Sequence, residues 1–313
     1  MKTFEENQVD SQSQFPDGDG FFYSGPSPDV WAGYLKRQLR STLRPRPQER
    51  DGRLAARRAA QRKPGWKWDT ELDQAWARIG ELIRIIRQDG EELAAAGLAP
   101  GDEDLYWKAA QLANARRIQE RGVGLRDLSF LEGMAQLKEL DLWDNDIEDL
   151  TPLASLTGLR ELWLPFNRIS DLSPLAGLDK LVKLHVYGNQ ITSLEPLRGL
   201  TSLNTLDLRG NPLEPGTLAC LRKCKRLGML DLSDTGLGDI RDLEFCRAWN
   251  LDLYGNPDLT GLEVISTMKR LCCLYLDTEA ARRYDIQALA PQLIEYAELD
   301  GLSLYVWPEK YYN

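Results

Sequence analysis

The sequence predicts an α/β solenoid, a horseshoe with a parallel sheet on its concave side, 3₁₀ turns on its convex side and a helical cap at its N-terminal end. Three observations carry that expectation. Asn145, Asn167, Asn189 and Asn211 recur at steps of 22 residues. Each closes one phrase, L-x-x-L-x-[LV]-x-x-N, which begins at Leu137, Leu159, Leu181 and Leu203. Between these phrases a second recurs, D-L-T-P-L from Asp149, D-L-S-P-L from Asp171 and S-L-E-P-L from Ser193. A fixed period of this length means one short supersecondary unit per repeat, unable to bury its apolar side until neighbours stack on it.

Within the first phrase the leucines point inward and the residues between them point to the concave surface, as the period-2 alternation of a strand requires. The asparagines serve the turn. An amide side chain both donates and accepts, so Asn145, Asn167, Asn189, Asn211 and, further on, Asn256 can satisfy backbone groups that a stacked solenoid would leave buried and unpaired. The prolines of the second phrase break regular hydrogen bonding and favour 3₁₀ turns over full helices on the convex side. The 22-residue step together with N-x-I-x-D-L-x-P-L resembles the internalin and phosphatase-regulator type of leucine-rich repeat, over about the C-terminal two thirds of the chain. That resemblance implies a non-enzymatic surface that grips another protein.

Beyond Asn211 the register loosens. Thr235 takes the closing position after a longer turn near Pro215 and Gly216, Asn256 follows, and Glu279 closes the next phrase without an amide. Leu293 to Leu304 is expected to add one or two capping strands, because a terminal repeat has one face towards solvent.

The first third is a different object. Residues 1–30 read as a disordered acidic tail with Glu5, Glu6, Asp10, Asp17, Asp19 and Asp29. Residues 31–67 read as a basic arm with short helices, interrupted by Pro45 and Pro47, in which twelve basic side chains between Lys36 and Lys67 face only Glu49 and Asp51. Residues 68–122 form the helical cap. One helix starts near Asp69 or Thr70, carries Leu72, Trp76, Ile79, Leu82, Ile83 and Ile86 on one face and ends near Gly97. A second runs from about Asp102 to Gln119. Together they are expected to cover the first open edge of the sheet. Residues 123–313 are the repeat domain with its C-terminal capping strand.

Composition narrows the functional classes. The net charge is −9, divided as +5 over residues 1–67 and −14 over residues 68–313. No apolar run resembles a signal peptide or spans a bilayer, so a cytoplasmic protein without membrane contact is expected, with non-classical export as the other route. The five cysteines include no C-x-x-C, and the single histidine, His185, sits on a concave strand, so buried structural thiols are expected rather than a metal site or disulfides. No Gly-rich phosphate loop, H-E-x-x-H or nucleophile elbow is present; neither catalytic residues nor a cofactor are assigned.

Function then rests on the concave surface. The partner-binding candidates are Asp141, Trp143, Trp163, Phe166, His185, Tyr187, Asp207, Arg209, Asp231, Asp252, Tyr254 and Tyr275. Aromatic side chains ringed by charge make up a protein-binding hot spot, and the recurrent carboxylates call for a basic partner. Ordinary strand preference and solubility would select the same residue types singly, but here several large aromatics adjoin across strands. The leading reading is a protein-interaction module, in a bacterial setting an inhibitor or immunity protein. The alternatives are a secreted effector of leucine-rich repeat type and nucleic-acid binding through the arm at 36–67, which the acidic remainder opposes.

Overall fold

The computed structural model describes residues 68–89, 98, 103–293, 295–299 and 302–306. The tail expected at 1–30 and the arm expected at 31–67 lie outside the described residues. Helices α1 (Trp68–Asp89) and α2 (Glu103–Ala113) pack on each other, and eight parallel strands follow. These are β1 (Arg117–Gln119), β2 (Glu139–Asp141), β3 (Glu161–Trp163), β4 (Lys183–His185), β5 (Thr205–Asp207), β6 (Met229–Asp231), β7 (Asn250–Asp252) and β8 (Cys273–Asp277). After β8 come two short helices, α3 (Thr278–Arg283) and α4 (Ile286–Leu289), and a hairpin of β9 (Glu295–Leu299) and β10 (Leu302–Val306). The strands form one open sheet ordered β1 to β8, then β10, then β9. The hairpin pairs antiparallel with β8 through β10 and so ends the parallel stack.

The leucine phrase builds the core as its spacing requires. Leu140 lies beside Leu162, Leu162 beside Leu184, and the column continues through Leu206, Leu230 and Leu251 to Leu274, all fully enclosed. A single apolar core runs from Trp76 to Leu293. The convex side carries 3₁₀ turns, among them Thr151–Ser155, Ser173–Leu175 and Glu195–Gly199, each with proline in its first turn. Asp149 and Asp171 start two of them by accepting the backbone N–H of Thr151 and Ser173 at 2.8 Å. Hydrogen bonds with the side chains of Thr151 and Ser173, and then with these backbone N–H groups, hold both carboxyls below their ordinary pKa. The turn after Gly216, whose φ is +79°, is seven residues long, Thr217–Lys223, and takes up the extra length of that repeat.

The asparagine ladder ties each coil to the one before it. The Asn167 amide donates to Leu142 O and to Leu164 O, both at 3.0 Å, and its oxygen accepts from Ile147 N at 3.1 Å. Asn145, Asn189, Asn211 and Asn256 repeat the pattern. Thr235 substitutes for the amide by donating its hydroxyl to Leu232 O at 2.7 Å.

The cap departs from expectation at one boundary. Helix α1 is described as Trp68–Asp89, and its expected end near Gly97 lies outside the described residues, whereas α2 ends at Ala113 rather than near Gln119. Residues Arg117–Gln119 are instead strand β1, with Ile118 in the core column beside Leu140. A helix continued to Gln119 would have left the β2 edge unpaired, and the strand removes that cost. The helices close the start of the core through the first 3₁₀ turn, Ser129–Leu131, where Trp76 meets Phe130 at 5.0 Å between ring centroids. The cysteines are free thiols, four of them buried. Burial raises the Cys220 thiol to about 12, which leaves it protonated and unreactive. Among the described residues no helix is long and apolar enough to cross a membrane.

Candidate functional site on the concave face

Strand register sorts the concave side chains into rows. The middle row runs Gln119, Asp141, Trp163, His185, Asp207, Asp231, Asp252, Tyr275. The row at the strand exits runs Arg121, Trp143, Pro165, Tyr187, Arg209, Ser233, Tyr254. Backbone hydrogen bonds from one coil to the next carry this alignment, such as Gly122 N to Trp143 O and Gly188 N to Arg209 O, at 2.9 and 2.8 Å. Neighbouring side chains within a row therefore stand about 4.8 Å apart along the solenoid, close enough for adjacent rings to touch.

On the first half of the face the aromatics do touch. Trp163 and His185 stack, with centroids 5.8 Å apart and planes inclined by 6°. Phe166 sits edge-on between Trp143 and Tyr187, at 6.1 Å and 5.1 Å. The guanidinium of Arg209 lies 4.7 Å from the Tyr187 ring centroid, a cation–π contact. Sequence alternation thus brings Trp143, Trp163, Phe166, His185, Tyr187 and Arg209 into one contiguous patch.

The second half is acidic and more enclosed. The carboxylates of Asp207, Asp231 and Asp252 stand on three consecutive strands. One oxygen of each turns back to accept the N–H two residues on, at Arg209, Ser233 and Tyr254. Asp141 makes the same bond to Trp143 N and an ion pair with Arg121. Burial, reinforced by the neighbouring Asp207 carboxylate, raises the Asp231 carboxyl to about 6, against the pull of Arg209. Burial and then Asp231 raise Asp252 well above the ordinary carboxylate range. Burial alone would lower the Arg209 pKa, but Asp207, Asp231 and Asp252 raise it on balance. Asp207 also stands 3.6 Å from His185 Nδ1. Tyr275, at the far end of the row, is almost completely enclosed, whereas Tyr254 is half-buried.

Two features escape the sequence reading. Arg121 and Gln119 join the face because β1 extends the sheet where a helix was expected; the one signal was Ile118 at a leucine position. The other is a conformational column. The residue before each closing amide or hydroxyl has positive φ, and it is Gly188, Gly210 and Gly255, or Asp144 and Asp234, or, at φ +54°, Phe166. The Phe166 ring leans over the next coil, where a Cβ on Gly188 would come within 2.8 Å of it. Aligned repeats show an aromatic in a column of left-handed formers, which was the available signal.

A groove of about 650 Å³ lies away from this face, between α1 and the turn at Ser129–Gly133. Arg87 crosses it to donate to Gly133 O at 2.5 Å, so the groove is a seam between cap and repeats. Among the described residues no group of His, Cys, Asp and Glu side chains is arranged to hold a metal ion.

Residues 125–178 and 179–219 match the family model "Leucine Rich repeats (2 copies)". No curated protein sequence matches the chain. Among solved structures, internalin C2 from Listeria monocytogenes is similar at 26% identity, covering 50% of this chain and 69% of that one, with a TM-score of 0.47. An internalin F structure from the same organism shares 20% identity over 63% of this chain and 61% of its own, with a TM-score of 0.44. A leucine-rich repeat protein from Leptospira interrogans shares 19% identity over 59% of this chain and 55% of its own, with a TM-score of 0.46. The chain thus spans less than two thirds of the last two. Its asparagine ladder, parallel concave sheet and convex 3₁₀ turns agree with the family match, and the chain carries leucine-rich repeats over residues 125–219.

Proposed function

We propose that the protein is a non-enzymatic interaction module that binds a protein partner with a basic surface on its concave face. The observation that carries this reading is the contiguous patch of Trp143, Phe166, Tyr187 and Trp163 with His185, placed directly beside the carboxylate row of Asp207, Asp231 and Asp252. Large amphipathic rings supply contact area at low entropic cost, and a water-poor carboxylate row favours a partner's lysine or arginine. In this reading Tyr254 extends the patch, while Asp141, Asp252 and Tyr275 shape it from below. A basic partner gripped by an acidic solenoid fits an inhibitor or immunity role. The test is retention of partners from the native host by wild type and by the double variant Trp143→Ala/Trp163→Ala, at low and high salt. A basic protein held by wild type and lost by the variant supports the concave face. Recovery of nucleic acid that ignores both tryptophans and is released by salt would move the function to the basic arm.

A further inference from the structure

Two local energetic costs coincide on the concave face. Phe166 holds a left-handed backbone, φ +54°, where every other repeat in that column uses glycine or aspartate. A bulky side chain there is strained, because its Cβ crowds the following carbonyl oxygen. Trp143 Nε1 is the second: among the described residues it is the one buried side-chain nitrogen or oxygen without a hydrogen-bond partner. Such a donor is normally paired. The two residues touch, since the Phe166 ring stands edge-on to the Trp143 indole. A side chain on a strained backbone therefore stands against the indole that carries an unpaired donor, in the middle of the patch assigned to partner binding.

We propose that Phe166 is a displaceable cover and that Trp143 Nε1 is the donor a partner's main-chain carbonyl oxygen reaches when Phe166 moves aside. The inference rests on the concave-face reading. Gly188 presents no side chain where the ring leans, so Phe166 has room to swing aside, and the indole then gains its missing acceptor. The neighbouring charges favour a neutral acceptor over a carboxylate. Arg121 is committed to Asp141 through its Nε and its terminal nitrogen, and Arg209 faces Asp207 at 3.5 Å and the Tyr187 ring. Both cations flanking the aromatic cluster are thus already neutralised. An extended peptide segment supplies neutral carbonyls of this kind along its length.

The experiment needs no identified partner. A random-peptide phage library is selected on the wild-type protein, and the recovered peptides are measured against three forms: Trp143→Ala, Phe166→Gly, and a protein in which the Trp143 indole is replaced by benzothiophene, which puts sulfur in place of N–H and keeps the ring. The expected result is loss of binding to Trp143→Ala, about three- to tenfold weaker binding to the benzothiophene form, the size of one hydrogen bond, and faster association with Phe166→Gly than with wild type, because no ring has to move aside first; unchanged or slower association would overturn the cover. In the free protein the benzothiophene form should unfold at a higher urea concentration than wild type, because an orphan donor has been removed. Equal binding of the benzothiophene form, with loss by Trp143→Ala, would overturn the donor while leaving the concave-face reading intact. Peptides indifferent to Trp143→Ala would overturn the face reading itself. A lower urea midpoint for the benzothiophene form would show that Nε1 already has an acceptor in the free protein and would also overturn the inference.

Discussion

Asn167 reaches two coils with one amide. Its nitrogen donates to Leu142 O and Leu164 O and its oxygen accepts from Ile147 N, all in the buried interior. Truncation strands the Ile147 N–H, at about 1–3 kcal/mol, and removes one of two amide donors from Leu142 O and Leu164 O, which keep Asn145 and Asn189. Asn167→Ala is therefore expected to lower the unfolding free energy by about 3 kcal/mol in urea titration, and Arg168→Ala next to it, exposed to solvent, by less than about 0.5 kcal/mol. Asp231 works in the opposite sense. Its carboxyl titrates near 6 in the folded protein because of burial and Asp207, against about 3.9 for an ordinary aspartate. The folded state thus binds the proton more tightly, and stability from this group is present below about pH 4 and lost as pH rises through 6. Asp231→Asn keeps an oxygen to accept from Ser233 N and removes the charge. The variant should have a higher urea midpoint than wild type at pH 7.5, and the two should converge by pH 4; a gap independent of pH would refute the burial account.

At the scale of elements, the repeats were legible and the cap was only partly so. Proline at the start of three convex segments, three residues after Asp149, Asp171 or Ser193, dictates a tight turn, and the structure has 3₁₀ turns there. The apolar spacing of Trp76, Ile79, Leu82, Ile83 and Ile86 likewise dictates an amphipathic helix, and all five are buried. What the spacing could not locate was the end of α2. Ile118 continues a helical period as readily as it opens a strand, and only the need to pair β2 decides between them. The packing of α1 on the first turn leads to a specific expectation. Trp76 is enclosed against Phe130, and truncating a buried tryptophan costs about 3–5 kcal/mol. Trp76→Ala should destabilise by that amount, whereas Trp107→Ala on α2, at 70% exposure, should leave the urea midpoint nearly unchanged. Equal effects would mean that α1 does not seal the core.

Across the whole molecule, alternation along each strand told which side chains share the concave face but not how deeply they sit. Asp141 and Asp252 are almost fully enclosed because their carboxylates fold back to amides two residues on, a local bond that no periodicity records. The same coil-to-coil connectivity governs how the protein opens. Leu142 N, Leu164 N, Val186 N, Leu208 N and Leu232 N each donate to a carbonyl on the following coil, at 2.8–3.0 Å. Exposing one of them requires two coils to separate. In a stack where each unit touches only its neighbours, opening at an end breaks one interface and opening in the middle breaks two. The ends also differ. Each parallel contact pairs three-residue strands at most, whereas β10 pairs with five residues of β8 and reinforces the C-terminal side. Amide hydrogen exchange should therefore be slowest at Leu164, Val186 and Leu208 and faster at Glu120, which bonds across from β1 to Asp141 O. The amide of Leu253, bonded to Tyr275 O beside the hairpin, should be more protected than that of Glu120. Asn167→Ala should speed exchange most in the two coils it joins and least beyond β6. If the lesion instead raised exchange uniformly from β1 to β8, the repeats would be unfolding as a single cooperative block rather than coil by coil.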